Sequence, residues 1–213
     1  LGIFAAVSPP RRTSPMSKSK GGITIPPCTR AACWSGWKVG SQVTADFRVD
    51  KAAARAYTRI MARHVRVTTV ALGESKDLPE LHGKLEELLD LAAVEKPDIV
   101  ALPETMNLCG QHTNWKGVAE PVPGPTTRMV SGLARKHSMY VWCPIVACQG
   151  KKLANAAVLI DRRGGIVGQY HKMFPTISEL KMGVVPGTKA HVFEADFGRV
   201  GAAICFDANF REV

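Results

Sequence analysis

The sequence predicts a layered α/β domain in which helices cover a sheet of mixed strand direction. Three observations carry that prediction. Short β-branched or all-apolar runs alternate with segments whose apolar residues recur at helical spacing. A polar, Gly-containing loop of hairpin length adds an antiparallel pair. And 46% hydrophobic content over 213 residues is enough to bury a real core.

Taken in order, residues 1–64 read as a basic, partly disordered arm or the remnant of an upstream region. Ser8 to about Pro27 is Ser, Pro, Gly, Lys and Arg without periodicity. Trp34 and Trp37 are possible anchors, and the Ala/Arg-rich stretch Asp50–His64 is a candidate helix capped by Asp50. LGIFAAV at the start has no charged region before it, and whether it ends a leader stays open.

Residues 65–213 read as the domain proper. Val65–Leu72 is β-branched and predicts a strand. Asp77-Leu-Pro-Glu80 has the form of a capping box with Pro79 in the first turn. Leu78, Leu81, Leu85, Leu88, Leu89 and Ala92 then form one helical stripe, which Pro97 stops. Asp98–Leu102 is a short apolar run of the kind buried on both faces. Pro125 and the apolar Met129, Val130, Leu133 and Ala134 mark a second helix, followed by a strand at Met139–Val146. Asn155–Ile160 and Ile166–Tyr170 flank the loop 161–165 as a hairpin, and Ala190–Phe193 and Arg199–Cys205 are the last strands.

Composition narrows the function. Twelve of the 28 basic and two of the 18 acidic residues fall in residues 1–70, so the net charge of +10 lies there and residues 71–213 are balanced. A basic arm can meet nucleic acid or an anionic surface, but the neutral domain has no basic–aromatic interleaving, and nucleic acid is not the expected partner. No apolar run approaches the roughly 20 residues of a membrane span. Cys28, Cys33, Cys109, Cys143, Cys148 and Cys205 lack the neighbours of a zinc set and read as free thiols, which favours a cytoplasmic location with secretion left open.

Three reactive side chains each follow a strand-like run: Glu104 after DIVALP, Lys172 after GIVGQYH and Cys205 after RVGAAI. Ligands collect at such strand ends. A carboxylate can take the proton of a thiol as it attacks an amide or nitrile carbon and return it to the departing nitrogen. A lysine ammonium and the backbone N–H of Phe206 can stabilise the charge that develops. Such a set needs neither metal nor organic cofactor.

The segments PDIVALPETM (97–106), YHKMFPT (170–176) and GRVGAAICFDANFRE (198–212) resemble the three signature blocks of the nitrilase superfamily, the carbon–nitrogen hydrolases, in their order along the chain. The resemblance runs from about Val65 to Val213. It implies an α-β-β-α layered sandwich, a Cys205 nucleophile, Glu104 as general base and acid, and Lys172 as oxyanion stabiliser. It further implies a supporting glutamate, for which Glu179 is the candidate, and elbow-bracing acids at Asp207 and Glu212. Cys205-Phe206-Asp207 looks more like the amidase and N-carbamoyl-amine hydrolase branches than the Cys-Trp-Glu of many nitrile-acting members.

The expected activity is therefore hydrolysis of a small amide or N-carbamoyl compound through a thioester, in a protein that is a homo-oligomer when complete. Members of the family continue well past the nucleophile, whereas this sequence stops eight residues after Cys205. That implies a sandwich truncated after the nucleophile strand, a fragment or a decayed copy of low stability or activity alone. Three alternatives stand beside this reading: nitrile hydrolysis on the same triad, a non-catalytic basic binder of nucleic acid or anionic surfaces, and a Cys–His hydrolase pairing Cys205 with His171 or His191. Period two along a strand turns His171 away from Lys172 and makes it structural.

Overall fold

The computed structural model of the chain describes residues 64–213 and the backbone of Ile3–Ser8. The candidate helix at Asp50–His64, the stretch Ser8–Pro27, Trp34, Trp37, Cys28 and Cys33 lie outside the described residues, save for the end positions Ser8 and His64.

Strand β1 is Ile3–Ser8 and β2 is Val67–Thr69. Helix α1, Leu78–Ala93, begins at Asp77, whose carboxylate accepts from the Glu80 N–H at 2.9 Å. Glu80 turns back to the N–H of Lys76, one residue before the cap, and not to that of Asp77. The helix ends four residues before Pro97, with Val94 as its cap. Strand β3 is Ile99–Ala101; α2 is the single turn Trp115–Val118; α3 is Pro125–His137. The N-terminus of α3 is held by buried Glu120, whose two oxygens accept from the Thr126 N–H and hydroxyl at 2.7 Å each.

Strands β4 (Tyr140–Gln149), β5 (Lys152–Ile160) and β6 (Ile166–His171) follow as two consecutive hairpins. The first turns at Gly150, which sits at φ +60° where a side chain would be strained. Helix α4, Ile177–Lys181, precedes the hairpin β7 (Val192–Ala195) and β8 (Gly198–Ile204).

Two sheets result, a five-stranded one in the order β2-β3-β4-β5-β6 and a three-stranded one in the order β1-β8-β7. Pairs β2–β3 and β3–β4 are parallel because α1 and α3 supply the crossovers. One face of the large sheet, including Val100, Val141, Ile145 and Val158, packs on Leu81, Leu85 and Leu89 of α1 and Val130 and Leu133 of α3. The other face, including Ile99, Trp142, Leu159 and Tyr170, meets Val200, Ala202 and Ile204 of β8. The described residues thus form three layers, helix, sheet and sheet, of the four-layered sandwich, and its second helical layer is not among them.

Several boundaries differ from those predicted. The first strand of the domain shrinks from Val65–Leu72 to Val67–Thr69, since as an edge strand it has a partner on one side only. Strands β4 and β5 reach three residues further toward each other than expected. Ile3–Ser8, inside the predicted arm, pairs antiparallel with the whole of β8 from Ile3↔Ile204 to Ser8↔Arg199. Among the described residues, no helix is long and apolar enough to cross a membrane.

Candidate active site

Glu104, Lys172 and Cys205 are each delivered by the C-terminal end of a strand. Glu104 lies three residues past β3, in a loop pinned by buried Asn107. The Asn107 amide oxygen accepts from Val146 N–H at 2.8 Å, and its NH2 donates to the carbonyls of Val146 and Val118 at 3.1 and 3.2 Å. Thr105 and Cys109, with φ of +48° and +46°, bend the chain on either side of this brace. Lys172 directly follows β6, and its backbone N–H donates to the Asn155 carbonyl at 2.9 Å. Cys205 directly follows β8.

The Lys172 ammonium is 1% exposed, a position that burial would discharge without partners. It has three acceptors: Glu104 Oε1 at 3.0 Å and Glu179 Oε1 and Oε2 at 3.1 and 2.9 Å. Burial works against the charge, but the two carboxylates outweigh it and raise the proton affinity of Lys172 above its ordinary value. Glu179 is buried, not a solvated charge of the ISELK segment. Burial opposes its ionisation more than any single partner favours it. Together, Asn155, Lys172 and the Thr176 N–H bring its carboxyl below the usual range.

Cys205 sits at φ +50°, in the left-handed region that a non-glycine residue seldom adopts. Asp207 holds this elbow. It is fully buried, with Oδ2 accepting from the Tyr170 hydroxyl at 2.7 Å and the Ile204 N–H at 3.0 Å and Oδ1 accepting from the Phe174 N–H at 2.8 Å. Glu212, expected to share the bracing, is instead exposed.

The Cys205 thiol lies within the electrostatic reach of Glu104, Lys172 and the Phe206 N–H. Burial, then the Glu104 charge and hydrogen bond, push its proton affinity up more than Lys172 and Phe206 pull it down. At neutral pH it is a protonated thiol beside a carboxylate. Phe206, the residue after it, meets Phe210 edge-on at 5.3 Å, and Phe174 stacks on Phe210 at 3.8 Å between ring centroids.

Glu104, Lys172, Cys205, Glu179, Phe206 and Asp207 are therefore brought into one cluster. His171 is not part of it. Burial, then the neighbouring His191, depress the proton affinity of its imidazole, and no histidine is among the groups that act on the thiol. The sequence reading missed Asn155, whose amide nitrogen donates to Glu104 Oε1 and Glu179 Oε1 at 2.7 Å each. Its signal was present: one polar residue in the middle of the otherwise apolar run LANAAVLI. Among the described residues, Cys109, Cys143, Cys148 and Cys205 are free thiols and no cluster of metal-ligating side chains is present.

Comparison with known proteins gives a consistent assignment. Residues 63–213 match the family model described as carbon-nitrogen hydrolase. A beta-ureidopropionase of Arabidopsis thaliana is 31% identical over 137 residues, which are 59% of this chain and 34% of that protein. An omega-amidase of Danio rerio is 28% identical over 161 residues, 70% of this chain and 57% of that protein. A bifunctional nitrilase/nitrile hydratase of Lupinus angustifolius is 27% identical over 179 residues, 75% of this chain and 50% of that protein. The chain spans between a third and somewhat more than half of the length of these relatives. Among solved structures, a carbon–nitrogen hydrolase superfamily protein of Xanthomonas campestris superposes with a TM-score of 0.60 at 18% identity, over 68% of this chain and 55% of that one. Nit3 of Saccharomyces cerevisiae, a nitrilase superfamily member, superposes with a TM-score of 0.56 at 22% identity, over 68% and 57%. These two likenesses concern the fold.

Proposed function

Because this chain belongs to the carbon–nitrogen hydrolase family, we propose that it hydrolyses the carbon–nitrogen bond of a small amide or N-carbamoyl compound with Cys205 as nucleophile. The observation that carries the reading is that the protonated Cys205 thiol feels the charges of both Glu104 and Lys172, which are themselves paired at 3.0 Å.

Sγ attacks the carbonyl carbon as its proton passes to Glu104, forming an S–C bond and an oxyanion. The Phe206 N–H is the backbone donor proposed for that oxyanion. In the resting site all three Lys172 protons are spent on carboxylate oxygens. Protonation of Glu104 weakens one of those bonds, so the ammonium becomes available to the oxyanion when charge appears there. The C–N bond then breaks, Glu104 returns the proton to nitrogen, and ammonia or an amine leaves. Water, deprotonated by Glu104, attacks the thioester and releases the acid with regeneration of the thiol. Glu179 keeps Lys172 charged and in place throughout, and Asp207 keeps the elbow.

The relatives named beta-ureidopropionase and omega-amidase, together with Cys205-Phe206-Asp207, favour amide-type over nitrile substrates. The test is mass spectrometry of the protein quenched during turnover of propionamide, N-carbamoyl-β-alanine or propionitrile, with ammonia release measured in parallel. Acyl mass on Cys205 and on none of the other five cysteines is expected with the first two compounds. Turnover with the acyl group on another cysteine, or with no covalent adduct under any quench, would overturn the assignment.

A further inference from the structure

Asn155 lies in the middle of β5, 1% exposed, in a run of eight consecutive buried residues. An amide in such a place costs stability unless it is bonded, and a structural asparagine satisfies both of its ends. Asn107 in this same molecule does so, giving and receiving bonds to backbone. Asn155 does not. Its oxygen is buried with no hydrogen-bond partner among the described residues, while its nitrogen bridges the carboxylates of Glu104 and Glu179. One end of the amide is sacrificed so that the other can hold two anions together.

The charges facing one another here come from four places: Glu104 after β3, Lys172 after β6, Glu179 on α4 and, once ionised, Cys205 after β8. One ammonium against two carboxylates leaves a net negative charge, which favours protonation of a carboxylate. The two donor bonds of Asn155 act against that without adding charge.

We infer that Asn155 is a positioning residue that keeps the two-carboxylate cluster ionised and, by sharing Glu104 Oε1 with Lys172, leaves Oε2 as the oxygen that exchanges a proton with Cys205. The second half of this statement rests on the proposed hydrolase reading. The first half does not.

The carboxyl 13C resonances of Glu104 and Glu179 are followed through a pH titration in the unaltered protein and in Asn155→Leu, which keeps the branched outline of the side chain and removes the donors. Loss of a hydrogen bond to a charged group should raise the proton affinity of the cluster about tenfold. Unmoved carboxyl titrations in a folded variant overturn the inference, because a packing role alone would lower stability and leave them in place. If Asn155→Leu does not fold, Asn155→Val, uncharged, β-branched as a strand favours and without the donors, replaces it. Should neither fold, the unaltered protein decides: the two Nδ2 protons must resist solvent exchange and must shift on Glu104→Gln, and exchange at the rate of a free side-chain amide overturns the bridge. With an active substrate, the acid limb of kcat/KM moves to higher pH in step with the carboxyls. If the unaltered protein releases no ammonia from the three compounds, the hydrolase reading fails while the titration still decides the role of Asn155.

Discussion

At Cys205 the neighbours pull in opposite directions, and that conflict distinguishes a base from a bystander. Glu104 raises the thiol's proton affinity by charge and by hydrogen bond, whereas Lys172 and the Phe206 N–H lower it. Glu104→Gln removes the raising influence, so thiolate forms more easily and alkylation of Cys205 by iodoacetamide at neutral pH becomes faster. Amide turnover should nevertheless fall about 10²–10⁴-fold, because nothing remains to take the proton and give it back. Both rates are read on one preparation; if they fall together, the pocket has collapsed and the variant says nothing for a base. Glu104, Lys172 and Cys205 were legible in the sequence because each is reactive and each follows an apolar run. Asn155 was not, because it interrupts a strand and does not end one, and a lone polar residue in an apolar run carries no chemical signature of its own. Asp207 was legible only through its neighbour Cys205, while Glu212, seven residues past Cys205, is exposed.

Among the elements, the long and strongly patterned ones were readable and the short ones were not. α1 follows its stripe and cap, and β3 is buried along its length as its composition required. Helix α4 has five residues, too few to hold by propensity alone, and its sequence signal is Thr176 followed three places on by Glu179. That capping box bonds the Thr176 N–H to Glu179 Oε2 at 2.6 Å and so turns the carboxylate toward Lys172. Strand β6 carries a separate consequence through His171, on the side away from Lys172. Burial first, and His191 second, lower the imidazole's proton affinity in the folded state. As pH falls below about 6.5 the unfolded chain takes up this proton before the folded one does, so the unfolded state binds more protons and stability declines with falling pH. His171→Gln, which cannot titrate, is expected to flatten the decline between about pH 7 and about pH 5 as read by the denaturant midpoint. A slope equal to that of the unaltered protein would clear His171 as its source.

Across the whole molecule, the strands that deliver the site are tied together at their opposite ends. β3, β6 and β8 carry Glu104, Lys172 and Cys205 past their C-termini, and Asp98, Arg162 and Asp196 stand before their N-termini. Arg162 binds Asp196 through Nε at 2.7 Å and Nη2 at 3.2 Å, Asp98 through Nη2 at 2.7 Å and the Ser138 carbonyl through Nη1 at 2.7 Å. Its guanidinium also lies 5.4 and 5.8 Å from the ring centroids of Tyr140 and Phe197. One side chain in the β5–β6 turn thereby clasps the second sheet to the first. Hydrogen bonds to charged groups are worth about 1.5–3 kcal/mol each where water is excluded, but the Asp196 side chain is 50% exposed and its share is screened. Arg162→Met, which keeps the aliphatic packing, should therefore lower the unfolding free energy by about 1–3 kcal/mol and not by the sum of four bonds. The site end has its own cross-links through Lys172, Asn155 and Asp207, so the pH dependence of turnover should survive the substitution. A folded Arg162→Met protein with unchanged stability would show that the apolar contact between the sheets, centred on Trp142, Tyr170 and Val200, holds their register without the clasp.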